Sequence, residues 1–290
     1  MKLYSPKTIR DIKEIHGFKL SKSLGQNFLT DKNIIDKIID DSFIGPNDLV
    51  IEIGPGIGVI TYEACQVARK VIAVEIDRNL IPILEKTLSE FDNVKVINQD
   101  ILKTSLTSIV EEARAEDPEI ENVRIIGNLP YYITTPIIMK ILEDGAPVSS
   151  ITVMMQKEVA DRIMAEPKTK SRGALSVAVQ FYCQVVKVAA VPKEVFMPVP
   201  KVDSTVLRLD LRPARPVDLF DEKMFFRCVK SGFGQRRKTL LNSLAGPLGF
   251  EKDIVRQALN GAEIDPQRRA ETLTIAEFAD IANQMYKLGN

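Results

Sequence analysis

The chain is poor in the groups that most often do acid–base or metal chemistry. Its 290 residues contain a single histidine, His16. A histidine-centred triad or a multi-histidine metal site is therefore excluded, nothing argues for His16 as a lone base, and no metal is expected. Cys65, Cys183 and Cys228 lie far apart, are odd in number and show no ligand-like spacing. Free thiols in a cytoplasmic chain are the natural expectation. Neither sign of charge dominates: 39 Lys and Arg balance 39 Asp and Glu. That balance argues against a strongly basic, non-specific nucleic-acid binder and leaves room for local basic patches. No apolar run reaches membrane-spanning length and no signal-peptide core opens the chain, so no membrane partner is expected. Internal repeats and low-complexity segments are also lacking. What is present is a 45% hydrophobic, 27% charged composition, ample for a sizeable core in one or two globular domains.

Helical spacing marks Thr8 to His16, and then the loop-like Lys19-Leu20-Ser21-Lys22-Ser23-Leu24-Gly25-Gln26-Asn27-Phe28-Leu29 has neither period. Asp31 opens an amphipathic helix carrying Ile34, Ile35, Ile38 and Ile39. From residue 49 strands and helices alternate. Leu49–Ile53, Val71–Val74, Val94–Ile97, Val123–Ile126 and Ile151–Met155 read as strands; Val59–Ala68, Leu80–Ser89, Leu106–Ala115 and Ile137–Leu142 read as helices. This alternation predicts a mainly parallel sheet covered on both faces. Beyond Lys157 the pattern changes. A short helix runs to Met164, then a basic loop, Pro167–Gly173, then an apolar stretch, Ser176–Val191, then a strand, Ser204–Leu211. Arg212-Pro213-Ala214-Arg215-Pro216 reads as a linker. Helical patterns follow at Met224–Ser231, Arg237–Leu244, Asp253–Leu259 and Ile275–Leu288. Two domains are expected: an α/β domain over 1–216 and a small all-α domain over 217–290.

Gly54-x-Gly56-x-Gly58 falls at a strand-to-helix turn, where glycines let the backbone approach a ligand and the helix start offers free N–H groups. The dinucleotide fingerprint needs a glycine at position 59, which is Val59, so a nicotinamide enzyme is disfavoured. An acid two residues before the first glycine, Glu52, fits instead the pattern of methyltransferases that use S-adenosylmethionine (SAM). Glu75 ends the next strand, where an acid accepts from ribose hydroxyls. Asp100 lies just past the third strand, where it would accept from an adenine amino group. All three positions share the carboxyl edge of the sheet.

Gly127-Asn128-Leu129-Pro130-Tyr131-Tyr132 follows the fourth strand. Pro130 fixes its own backbone and pushes Leu129 toward an extended form. An adenine amine is a poor nucleophile, because its lone pair is delocalised into the ring. Accepting both of its N–H groups, on the Asn128 side-chain carbonyl and the Leu129 backbone carbonyl, would favour a pyramidal nitrogen with its lone pair aimed at a sulfonium methyl. Pre-organised acceptors and in-line positioning supply that kind of catalysis. Tyr131 would stack on the base, worth ~1–3 kcal/mol, once the base has left its own stack.

Seven stretches together resemble the KsgA-type ribosomal RNA adenine N6,N6-dimethyltransferases over essentially the whole chain: Leu24–Leu29, Glu52–Gly58, Glu75, Asp100, Asn128–Tyr131, Phe196-x-Pro198-x-Pro200-x-Val202-x-Ser204 and Gln235–Leu240. The resemblance implies a Rossmann-like methyltransferase domain with a small helical C-terminal domain. It implies that Asn27 and Leu29 cover SAM, and that Gly54, Glu75, Asp100 and Asn128 line its site. Asn128, Leu129, Pro130 and Tyr131 would hold the adenine, with Phe196 facing Tyr131 across the base. The implied substrate is a pair of adjacent adenosines in the 3′-terminal hairpin loop of small-subunit (16S) rRNA, each dimethylated on N6 within a pre-small-subunit particle. A monomeric cytoplasmic enzyme, a role in late subunit assembly and kasugamycin resistance on its loss are implied as well. In one departure, many members carry an aromatic residue where this chain has Arg172, before Gly173.

Lys19, Lys22, Lys168, Lys170, Arg172, Arg236, Arg237, Lys238, Arg268 and Arg269 are candidates to meet phosphate and fix register. Zero net charge favours recognition of a shaped particle over tight binding to bare RNA. Two other functions compete. The sister class that methylates large-subunit rRNA usually has Ile at position 129 and lacks the 235–240 run. A non-catalytic RNA-binding assembly factor would not need Asn128–Tyr131 intact.

Overall fold

The computed structural model describes residues 2–15, 17 and 25–289. The expectations attached to His16, Lys19, Lys22 and Leu24 lie outside the described residues. The first helix, α1 (Pro6–Ile15), buries Ile9 and Ile12. The second, α2 (Lys32–Asp41), starts where Asp31 accepts from the backbone N–H groups of Asn33 and Ile34, at 2.8 and 3.2 Å. That N-cap satisfies two of the four donors a helix start leaves unpaired.

The expected alternation follows in order: β2 (Leu49–Ile53), α3 (Val59–Cys65), β3 (Lys70–Glu75), α4 (Ile81–Thr87), β4 (Val94–Asn98), α5 (Leu106–Glu116), β5 (Val123–Asn128), α6 (Thr134–Glu143) and β6 (Ser150–Gln156). Strands β2, β3, β5 and β6 are apolar on both faces and buried nearly throughout, as parallel strands sandwiched between helices must be. Later strands β7 (Cys183–Val191) and β9 (Ser204–Leu211) complete a seven-stranded sheet of order β4-β3-β2-β5-β6-β9-β7. The pairs β2–β3, β2–β5, β3–β4 and β5–β6 are parallel, and β6–β9 is antiparallel. From β2 the chain runs outward through β3 and β4, then returns to lay β5 on the other side of β2. A crevice opens at that reversal, between the carboxyl ends of β2 and β5. Their packing is close: a Cβ at Gly127 would lie 2.6 Å from the Ile53 carbonyl oxygen, so no larger residue fits there.

Two short strands, β1 (Phe28–Leu29) and β8 (Phe196–Met197), pair antiparallel and set Leu29 opposite Phe196. The apolar stretch Ser176–Val191 divides into α8 (Ala174–Tyr182) and then β7; it follows α7 (Lys157–Ile163). The C-terminal helices are α9 (Glu222–Gly234), α10 (Leu240–Leu248), α11 (Lys252–Gly261) and α12 (Ile275–Gly289). The expected start at Arg237 moves to Leu240, because Thr239 takes the extended N-cap conformation and leaves Arg237 and Lys238 in a turn.

The chain forms two compact units. One is Met1–Ala160 with Val185–Leu211; the other is Asp161–Gln184 with Arg212–Asn290. Residues 161–184 therefore group with the C-terminal helices although they precede residue 217. Inside the second unit Phe181 stacks on Phe225 at 4.8 Å between ring centres.

Candidate functional site

The carboxyl ends of β2, β3, β4 and β5 each deliver one candidate residue to a common cleft: Gly54, Glu75, Asp100 and Asn128. With its open mouth the cleft encloses about 1020 Å³. Asn27 and Leu29 line it from the N-terminal strap, and Leu129, Pro130 and Tyr131 line it beyond β5. Phe196 does not line it. Phe196 is paired with Leu29 of the strap and is 3% exposed.

The glycine turn is built by its backbone. Gly54, Gly56 and Gly58 all have positive φ, at 68, 62 and 88°, a region costly for side chains with a Cβ. At Gly56 the requirement is doubled, since a Cβ would sit 2.9 Å from the Phe28 ring of the strap. Gly58 caps α3, and Val59, the residue that breaks the dinucleotide fingerprint, packs in the core as the first residue of that helix.

Glu75 is buried at the end of β3. Its Oε2 accepts from the Gly56 N–H at 3.3 Å and its Oε1 from the Asp77 N–H at 2.8 Å. Burial raises its pKa above the ordinary value, and those two backbone donors oppose the rise. Glu52, on β2, is 1% exposed and also lines the cleft. Its carboxyl is pushed up to about 8, first by burial and further by nearby Glu75. Its Oε2 has no hydrogen-bond partner among the described residues. Asp100 begins a 3₁₀ turn, Ile101–Lys103, by accepting from the Leu102 N–H at 3.0 Å.

Asn128 ends β5. Its Nδ2 donates to the Asn27 backbone carbonyl at 2.8 Å, which turns Oδ1 away from the strap. Leu129 donates its backbone N–H to the Met154 carbonyl at 3.2 Å, and no hydrogen bond is made to its own carbonyl among the described residues. The Pro130 carbonyl takes the Ile133 N–H and the Thr134 hydroxyl, at 3.1 and 3.0 Å, and so launches α6. The Tyr131 hydroxyl shares a 2.8 Å hydrogen bond with Ser204 Oγ, which anchors the far end of the ring. Burial raises the Tyr131 pKa, against the effect of that bond.

Sequence reasoning missed Ile76 and Ile101, the apolar walls beside Glu75 and Asp100. Ile76 is exposed although strongly apolar and directly follows a strand-ending acid; that combination was the available signal. Tyr132, 60% exposed, completes the rim.

Of the cationic candidates, Lys168, Lys170, Arg236, Arg237, Lys238 and Arg269 are exposed in the second unit. None of the six has a carboxylate partner among the described residues. Backbone and side-chain contacts join their loops: the Arg236 guanidinium donates to the Lys170 carbonyl, and the Lys168 N–H to the Glu271 carbonyl at 2.7 Å. Two candidates are corrected. Arg268 is paired with Glu277. Arg172 is 1% exposed, with Nη1 donating to the Ala165 carbonyl at 2.7 Å and to Gln180 Oε1, and Nε to the Leu273 carbonyl. It is an internal strut, inaccessible to phosphate. Among the described residues no cluster of His, Cys, Asp or Glu could hold a metal, and no helix is long and apolar enough to cross a membrane.

The family described as ribosomal RNA adenine dimethylase matches residues 17–287. Ribosomal RNA small subunit methyltransferase A of Clostridioides difficile (strain 630) is 53% identical over 283 residues, covering 97% of this chain and 96% of that protein. Among solved structures, a dimethyladenosine transferase from Plasmodium falciparum matches with a TM-score of 0.74 at 26% identity, over 90% of this chain and 98% of that chain. The 23S rRNA methyltransferase ErmE matches with a TM-score of 0.67, also at 26% identity, over 89% and 99% of the respective chains.

Proposed function

The chain belongs to the ribosomal RNA adenine dimethylase family of rRNA-modifying enzymes, and on that premise we propose that it uses SAM to dimethylate N6 of two adjacent adenosines in the 3′-terminal hairpin loop of small-subunit rRNA. The substrate in this reading is a pre-small-subunit particle, the enzyme acts as a monomer in the cytoplasm, and its loss confers kasugamycin resistance.

The residues present fit SAM. A Cβ built on Gly54 meets nothing within 4 Å, so backbone faces open space there, as close approach to a ligand requires. Glu75 holds a buried carboxyl that backbone donors only partly occupy, suited to ribose hydroxyls. Asp100 keeps one carboxylate oxygen for an adenine amino group, and Ile76 and Ile101 supply apolar walls for the ring. Asn27 and Leu29 cover the site. When bound, SAM supplies an electrophilic methyl group on a sulfonium.

The acceptor end carries the reading, through one observation: the Asn128 amide is tied by its NH₂ to Asn27, leaving the carbonyl oxygen as the acceptor within the cleft. The Asn128 Oδ1 and the Leu129 carbonyl accept the two N–H groups of the target amine. They hold the nitrogen pyramidal and stabilise the positive charge that grows on its N–H bonds. Neither is a base at neutral pH, so orientation and charge stabilisation are their contribution. Tyr131, with its hydroxyl held by Ser204, stacks on the base. The exposed cations of the second unit meet phosphates and carry no sequence information themselves.

The test is to incubate unmethylated small subunits with labelled SAM and map the modified nucleotides. Two adjacent N6,N6-dimethyladenosines near the 3′ end of the small-subunit rRNA are expected; label in large subunits alone would overturn the assignment.

A further inference from the structure

Asp77 stands two residues beyond Glu75, between β3 and α4. Its Oδ1 accepts from the Asn79 backbone N–H at 3.0 Å and from Asn79 Nδ2 at 2.9 Å. Those bonds form an ordinary Asx turn. The other oxygen does something the turn does not need: Oδ2 accepts from Gln26 Nε2 at 2.9 Å, across 51 positions of sequence. The carboxyl is withdrawn from solvent, at 7% residue exposure, where a charge-assisted hydrogen bond is strong and its loss leaves an acceptor unpaired.

The backbone of the same residue reaches the cleft. The Asp77 N–H donates to Glu75 Oε1, and Glu75 Oε2 takes the Gly56 N–H. Gln26, Asp77, Glu75 and Gly56 thus form one hydrogen-bonded line through three segments that wall the cleft: strap, β3 end and glycine turn. Further along, the strap is fixed by the Asn128 tie to Asn27 and by Thr30, whose N–H and hydroxyl both donate to the Val195 carbonyl at 2.8 Å.

We propose that Asp77 is a positioning residue, whose hydrogen bond to Gln26 latches the Gly25–Leu29 strap against the wall that carries the ribose acid and so retains SAM in the cleft. The proposal rests on the reading of the cleft as the SAM site. Asp77 touches no part of the ligand. It sets where the strap closes, and through Asn27 where the Asn128 amide is anchored. Breaking the latch speeds SAM release.

The chemistry of the pair provides a reciprocal test. Asp77→Ala removes the acceptor and Gln26→Ala the donor, while Gln26→Glu sets two carboxylates face to face. In Asp77→Asn the Gln26 amide can turn over and offer its oxygen to the new NH₂, so the bond is kept. SAM affinity of the full chain is measured by calorimetry and release by stopped flow. Asp77→Ala, Gln26→Ala and Gln26→Glu are each expected to bind SAM at least about tenfold more weakly, through faster release, and Asp77→Asn to bind nearly as the parent does. Both alanine changes break the same bond, so the two together should cost little more than either alone. Singles that bind like the parent, or a double alanine variant as weak as the two losses combined, would overturn the latch. A parent chain that binds no SAM would remove the cofactor reading itself, and the latch with it.

Discussion

The side-chain NH₂ of Asn128 donates to the backbone carbonyl of Asn27 at 2.8 Å, joining the end of β5 to a strap 101 residues earlier in the chain. An asparagine amide can be turned either way, and this bond decides which way it points. With the nitrogen committed to Asn27, the oxygen is left to accept. The strap that covers the proposed cofactor site is thereby also the device that orients the proposed acceptor clamp.

Glu75 is the proposed ribose acceptor, with two backbone N–H groups already pinning its carboxyl. Glu75→Ala removes the acceptor and leaves those donors unpaired. SAM affinity by calorimetry should fall at least about tenfold, with an unchanged far-ultraviolet circular dichroism spectrum. Unchanged affinity would mean that Glu75 does not hold the ribose.

Glu52 makes the stability of the ligand-free protein depend on pH. Its carboxyl sits at about 8 in the fold against an ordinary value of 4.5. Between those values the folded protein keeps a proton that the unfolded chain releases. The associated stability is fully present below 4.5 and is lost as pH rises through about 8. Glu52→Gln cannot ionise and should escape this loss. Urea unfolding at several pH values should show the parent weakening relative to the variant as pH rises toward about 9; parallel curves would refute this linkage.

Arg172 and the lysines of its loop should separate cleanly. Arg172→Ala strands the Leu273 carbonyl and leaves the Ala165 carbonyl to Gln180 Nε2 alone, and should destabilise the second unit by about 3 kcal/mol, read as reduced hydrogen-exchange protection around Leu273. Replacing Lys168 and Lys170 by alanine should leave stability within about 0.5 kcal/mol. It should also flatten the salt dependence of small-subunit binding by about one unit of slope for each phosphate no longer neutralised. An unchanged slope would remove these lysines from the RNA interface.

The α/β core was readable because its signals are local. Leu49–Ile53 is a short apolar run ahead of glycines, and Asp31 is a capping residue placed before periodic isoleucines. The edge positions of Gly54, Glu75, Asp100 and Asn128 follow once the strands are parallel, since parallel strands end on one side. What stayed hidden depends on distant partners. The two-residue ladder of β1 and β8 has no periodicity of its own and exists because Leu29 meets Phe196 from 167 positions away. The same pairing buries Phe196, whose expected place across the base from Tyr131 came from the family resemblance. Ser176–Val191 is mostly apolar, and near-complete burial of α8 erases the period that would distinguish its helix from the strand after it. Arg172 reads as one more basic loop residue until three acceptors from separate segments surround it.

The central claim is that the Asn128 amide oxygen orients the adenine amine and does not merely help to bind SAM. Single-turnover methyl transfer to unmethylated small subunits, with SAM saturating as judged by calorimetry on the same preparation, tests it most directly. Asn128→Ala should reduce the transfer rate by at least about a hundredfold, the scale of losing one pre-organised group at a reacting centre, even when SAM is bound. Transfer at a near-parental rate in SAM-saturated Asn128→Ala would contradict the account.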